Sequence, residues 1–302
     1  MRDPIPDHMY VIAAILLQWF SLNDCMDGMR ARRTKCGSPL GRIIDEAIDQ
    51  LAYACISCIT GYLIRVEPGI WLFSIGLVNV PFYAMEIRHY YFKDFVMIVG
   101  ELGPVEVELI YTIIFLLTGL YIGGDGYDKT LAQVTGYEYE FLAIKTKYLV
   151  AGLTILLEIM FSYDNIKESL EKNQKETMKL MTPVFIIIGI SLLHSNLPSI
   201  KSETVIVYFL YQMVFAIIIL KLMIFNMSGK KFPLVFNVQF IYLLLPLIAY
   251  YIFCVSDQLE IMITRSCMVL ALFEFLFSIF RIAKQYTEYH NINFFTIKDR
   301  KD

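Results

Sequence analysis

The sequence predicts an all-α, polytopic membrane bundle of about nine transmembrane helices, and three observations carry that expectation. Of 302 residues, 57% are apolar and the mean hydropathy is +0.56, whereas a soluble domain has roughly 45–50% apolar residues. Charged residues make up only 18% of the chain and gather between long apolar runs. Those runs approach the roughly 20 residues that carry a helix across about 30 Å of hydrocarbon. Lipid offers no partner to backbone amides, so each span must satisfy its own.

In chain order, the apolar runs are 9–23, 48–65, 68–87, 106–123, 146–163, 180–195, 204–226, 234–255 and 265–284. The first leads directly into a polar motif with no small-residue cleavage site, so no cleaved leader is expected. Residues 1–302 read as a single membrane domain without internal repeats. Two polar connectors suggest its orientation. Arg30, Arg32, Arg33 and Lys35 follow the first run, and Lys167, Lys172, Lys175 and Lys179 follow the fifth. These clusters are an even number of crossings apart, so both face the cytosol under the positive-inside rule. The tail from Arg281, with Lys284, Lys298, Arg300 and Lys301, falls on the same side. The net charge of −3 singles out no partner, and no nucleic-acid partner is expected.

The six cysteines (Cys25, Cys36, Cys55, Cys58, Cys254, Cys267) show no repeating framework and are expected to be free thiols. Cys55 and Cys58 read as packing residues in an apolar helix rather than a metal pair. Glu158 is expected near the end of its span, within reach of the interface. Glu86, with Arg88 and His89, reads as an interfacial cluster, and Glu274, set deeper, as pairing with a lysine or facing a lipid chamber. The 20 Tyr and 22 Phe are ascribed to interfacial belts and packing, and they single out no head-group cage.

From the end of the first run to the start of the second stand Asp24, Asp27, Gly28, Ala31, Arg32, Gly41, Asp45 and Asp49. Asp24 and Asp27 are three apart and Asp45 and Asp49 four apart, so each pair projects from one helix face. Four carboxylates gathered in one place repel unless a cation neutralises them, and hard oxygen ligands select magnesium, calcium or manganese. Beside a membrane, such a metal points to phosphate chemistry, in which it clamps a pyrophosphate. Gly28 and Gly41 would let a nucleotide approach the backbone, and Arg32 would add a forked phosphate contact.

The string from Asp24 to Asp49 matches D-x2-D-G-x2-A-R-x8-G-x3-D-x3-D at every fixed position, and the chain is identified on it as resembling the CDP-alcohol phosphotransferases. Ala31-Arg32-Arg33-Thr34, Ser38-Pro39-Leu40-Gly41 and Gly103-Pro104-Val105-Glu106 are similar to the eukaryotic choline and ethanolamine branch, as is the closing region from Phe273 to His290. The resemblance implies that Asp24, Asp27, Asp45 and Asp49 hold two Mg2+ or Mn2+ ions and that Gly28, Ala31, Arg32 and Gly41 line the CDP site. It implies CDP-ethanolamine or CDP-choline as donor, diacylglycerol as acceptor and CMP as leaving group. It also implies a homodimer embedded in membrane lipid of the endoplasmic reticulum or Golgi, with its site facing the cytosol.

Three features depart from that pattern. Glu46 stands where the branch has a histidine, and Met29 where it has a lysine. Only about 23 residues precede Asp24, so the family's N-terminal amphipathic helix and first span are expected to be absent. The resemblance makes Asp49 a candidate base; Glu46 and Glu106 are the others, and Glu106 is alternatively a carboxylate favoured at a helix N-terminus. The competing reading is a catalytically inactive membrane relative that keeps the acidic cage for structure or regulation. A transporter would place acids near the midplane of both halves, and here they concentrate at one interface.

Overall fold

The computed structural model describes residues 5–34, 37–94, 103–137, 139, 143–229 and 238–291. They form helices: α1 (Asp7–Thr34), α2 (Pro39–Leu63), α3 (Pro68–Val78), α4 (Val80–Phe92), α5 (Pro104–Leu117), α6 (Leu131–Thr135), α7 (Thr146–Leu180), α8 (Thr182–His194), α9 (Pro198–Ser202), α10 (Thr204–Ser228), α11 (Phe240–Tyr251) and α12 (Asp257–His290). No strand is present among the described residues, only an isolated bridge between Thr130 and Lys145. Proline in the first turn opens α2, α3, α4, α5, α8 and α9. There its missing N–H breaks no helical bond and its ring presets φ. Lys35, Cys36, Lys298, Arg300 and Lys301, and the start of the eighth run, lie outside the described residues.

Each of the nine apolar runs lands on a helix, α3 and α4 together forming the third. Six of these helices are long and apolar enough to cross a membrane. Among the others, α2 is interrupted by Arg42, Asp45, Glu46 and Asp49. The remaining two, α8 and α11, have 13 and 12 residues and reach only about 20 Å at 1.5 Å per residue. The segment 166–179, expected as a polar connector, is instead helical. The break comes at Asn173 (φ −159°, ψ 89°), whose Oδ1 accepts the Glu176 amide at 3.1 Å and caps the restarted helix.

Helix α10 forms the centre, packed on α2, α4 and α12, while α4 packs on α7 and α1 on α5. Polar side chains pin these contacts where apolar packing alone would leave register free. Asn79 Nδ2 donates to Gln212 Oε1 at 2.5 Å, and Tyr83 OH donates to the Leu180 carbonyl at 2.7 Å. Buried Glu260 accepts from the Ser199 amide, the Ser199 hydroxyl and the Thr264 hydroxyl. Glu274 accepts from Gln239 at 2.5 Å and Tyr242 at 2.8 Å, and Lys221 donates to Gln239 at 2.6 Å. Glu274 is thus one residue removed from the lysine expected for it. The described cysteines are all free.

Between α2 and α3 the fit is close: a Cβ added at Gly61 would stand 2.0 Å from the Trp71 ring, whose Nε1 donates to the Ser57 carbonyl at 2.9 Å. Gly61→Ala is therefore expected to destabilise the fold by about 1–3 kcal/mol through overpacking. Thermal melting in detergent would read this, and an unchanged melting temperature would show that Trp71 repacks freely.

Ion pairs collect at the two ends of the bundle. At one end Arg65 meets Asp125 and Asp128, and Lys147 meets Glu67 and Asp128. At the other, Arg42 meets Glu86, and Arg88 meets Glu168 and Asp94. The Arg88 hydrogen bond holds the exposed Asp94 carboxyl below the ordinary aspartate range. The second end joins the start of α2, the end of α4 and the lysine-bearing part of α7. The two basic segments therefore share one side of the bundle.

Candidate functional site

The acidic motif is built by two helices that lean on different neighbours. Helix α1 carries Asp24 and Asp27 and rests mainly on α5, whereas α2 carries Asp45 and Asp49 and rests mainly on α10. The two meet where their carboxylates face each other. Oxygens of Asp24, Asp45 and Asp49 all lie within 4.8 Å of one another. Asp27 stands beside Asp45. None of the four is buried, so the cage opens to the polar end of the bundle.

Two ligand oxygens on one ion lie at most twice the ligand distance apart, roughly 4–5 Å for hard divalent cations. The oxygens of Asp24, Asp45 and Asp49, within 4.8 Å of one another, reach the span of a Ca2+ centre and would draw in slightly around Mg2+ or Mn2+, while Asp27 lies outside that group. The donor set is all oxygen, which disfavours zinc and copper.

The other predicted residues fall around this cage. Gly28 and Arg32 are one helical turn apart, and the Arg32 guanidinium folds over Gly28, with Nη1 3.5 Å from where a Cβ would be. Ala31 lies on the same stretch of α1. Gly41 lies in the first turn of α2, where its amide donates to Ser38 Oγ at 3.0 Å. Ser38 is thus an N-cap, and the SPLG string has a local reason: it starts the helix that carries Asp45 and Asp49.

The candidate bases differ in placement. Asp49 is part of the cage. Glu46 borders it, with Glu86, Arg42, Asp45 and Asp24 as its electrostatic neighbours. Glu106 is exposed, and its Oε2 accepts the Gly103 amide at 2.7 Å in a capping arrangement at the start of α5. Glu108, two residues on, turns to the opposite face. It faces Ser21, stands near Asp24 and lines an 80 Å³ cavity beneath the cage. Two carboxylates two positions apart on a helix cannot share a face, and that spacing was the available signal for Glu108.

One expectation is refined and another corrected. Glu86 lies at the polar end of the bundle but is buried there: it is 1% exposed, accepts from Arg42 at 2.5 Å and receives Asn226 Nδ2 from α10 at 2.9 Å. Arg42, which also lies 3.2 Å from His89, was overlooked as the residue tying the start of α2 to α4. Glu158 is not at an interface, since it lines the cavity beneath the cage together with Tyr53 and Tyr111. In both cases helix rotation and the neighbouring helix decided the environment.

Comparison with known proteins places this geometry in context. Residues 4–142 match the family model described as CDP-alcohol phosphatidyltransferase, a stretch that contains the whole acidic motif. Over 168 residues the chain is 28% identical to cholinephosphotransferase 1 of Rattus norvegicus, covering 55% of this chain and 39% of that protein. It is 27% identical over 134 residues to choline/ethanolaminephosphotransferase 1 of Arabidopsis thaliana, covering 44% and 33%. It is 30% identical over 122 residues to an uncharacterized CDP-alcohol phosphatidyltransferase class-I family protein 2 of Dictyostelium discoideum, covering 40% and 29%. The matched stretches therefore span about a third of those relatives' length.

Proposed function

We propose that this protein, whose residues 4–142 match the CDP-alcohol phosphatidyltransferase family model, transfers the phospho-alcohol of CDP-choline or CDP-ethanolamine to diacylglycerol, releasing CMP. The observation that carries this reading is the convergence of Asp24, Asp45 and Asp49 within 4.8 Å from two separate helices. Unneutralised, each carboxylate pair at that separation repels by roughly 1–3 kcal/mol. A cage serving only to hold two helices together would not be built from like charges.

Asp24, Asp27, Asp45 and Asp49 would hold divalent ions, which neutralise charge developing on the pyrophosphate. Arg32, folded over Gly28, offers a forked contact to the same phosphates. The acceptor hydroxyl gives its proton to a carboxylate bordering the cage, Asp49 or Glu46, and its oxygen attacks the β-phosphorus as the bond to CMP breaks. Glu106 joins them as a base only if its carboxylate leaves the Gly103 amide. The relatives' printed names support choline or ethanolamine as the head group. The shared side of the basic segments supports a site facing the cytosol.

The test is transfer of labelled phosphocholine and phosphoethanolamine from their CDP donors to diacylglycerol, in membranes containing this chain, with magnesium or with EDTA. Product that requires magnesium is expected, and the better donor identifies the head group. Folded, inserted protein that transfers neither would mark the chain as a non-catalytic relative, a reading that Glu46 and Met29 would then explain.

A further inference from the structure

Glu158 is a carboxyl group with no hydrogen-bond or ion-pair partner among the described residues. It lies 11 residues from Lys147 and 10 from Glu168, about 15 Å along α7 from either polar end of the bundle. A carboxyl at that depth is costly unless a partner or ligand satisfies it.

Its surroundings indicate what that ligand is. The cavity beneath the cage reaches Glu158 past Tyr53, Glu108 and Tyr111. On its other side Glu158 lines a groove of about 480 Å³ between α3, α7 and α8, apolar along Ile159, Val184, Phe185 and Ile188 and reaching Lys167 and Glu171 farther along α7. Among the described residues, Glu158 alone belongs to both linings. The groove falls in the roughly 300–1,000 Å³ range of small-molecule sites and lies along a helix long and apolar enough to cross a membrane. One polar group between an apolar groove and a reaction site suits an amphiphile whose oxygens sit at one end of a hydrocarbon chain. A water-soluble alcohol would leave the groove unused.

We propose that Glu158 is a positioning residue for the lipid acceptor: its side chain hydrogen-bonds the glycerol backbone while one acyl chain lies in the α3–α7–α8 groove, which directs the free hydroxyl to the cage. This rests on the proposed transfer reaction, deepens it by assigning the acceptor's place, and is tested by a readout that does not need turnover.

The purified full chain in phosphatidylcholine vesicles is photolabelled with a diacylglycerol that carries a diazirine in one acyl chain, and adducts are mapped by mass spectrometry. Adducts are expected on residues 159–170 of α7 and 184–188 of α8. They should fall about tenfold with Ile159→Trp, an exposed lining position that can fill the groove without disturbing the core. In the transfer assay, Glu158→Leu should raise KM for diacylglycerol about tenfold, the worth of one hydrogen bond, with KM for the CDP donor unchanged. Glu158→Gln, which still forms hydrogen bonds, should stay within about threefold. Adducts mapping elsewhere, or a Glu158→Leu chain that melts like the parent with an unchanged KM for diacylglycerol, would overturn the assignment. Groove adducts in a chain without transfer would keep it and sink the proposed reaction instead.

Discussion

Asp49→Ala is expected to lower transfer by about a thousandfold or more, while the metal-free protein keeps or gains stability. The first effect follows from the place of Asp49 in the cage: its oxygen lies within 4.8 Å of those of Asp24 and Asp45. Loss of one group that stabilises charge in a transition state typically costs about 100- to 1,000-fold, and Asp49 is also a candidate base. The second follows from like-charge repulsion, roughly 1–3 kcal/mol per pair, which the substitution relieves. In EDTA the variant should melt at or above the parent temperature, and in magnesium or manganese the parent should gain stability that the variant does not, because a ligand that binds only the folded state raises its stability. Transfer at the parental rate would remove the cage from the reaction. A lower melting temperature in EDTA would mean that Asp49 has a structural partner instead.

Arg42→Met is expected to destabilise the protein by about 3–5 kcal/mol, because it strands a buried carboxylate. Glu86 is 1% exposed and keeps only the Asn226 contact at 2.9 Å once the guanidinium at 2.5 Å is gone. The damage should reach the site, since Arg42 lies one turn before Asp45 on the helix that presents two of the four aspartates. Adding Glu86→Gln to this variant should recover more than half of the lost stability, because the pair is then removed together. Unfolding in detergent by chaotrope measures both steps. Additive losses from the two substitutions would mean that Arg42 and Glu86 act independently.

Much of this protein is written in one dimension. The apolar runs determine that it is a helical membrane bundle, because a chain in lipid has few other ways to satisfy its amides. Prolines at 39, 68, 104 and 198 mark where helices start. The spacing of Asp24, Asp27, Asp45 and Asp49 places them in pairs on helix faces, and oxygen ligands by themselves specify a hard cation.

Three-dimensional packing decided the remainder. Periodicity tells which residues of a helix share a face, but not which helix that face meets or at what depth. The burial of Glu86 therefore emerged only with α10 and Arg42 around it, and Glu158 read as peripheral until two cavities were found against it. The same holds for the glutamates of α5: a carboxylate near a helix start can cap its own backbone or face inward. Only the rotation of α5 against α1 set Glu106 on the Gly103 amide and Glu108 toward the cavity. The sequence by itself determined the class of fold and the all-carboxylate make-up of the motif, because both depend on local spacing and residue type. The tertiary structure alone decided which carboxylates converge and which are satisfied elsewhere, because that depends on contacts between helices far apart in the chain.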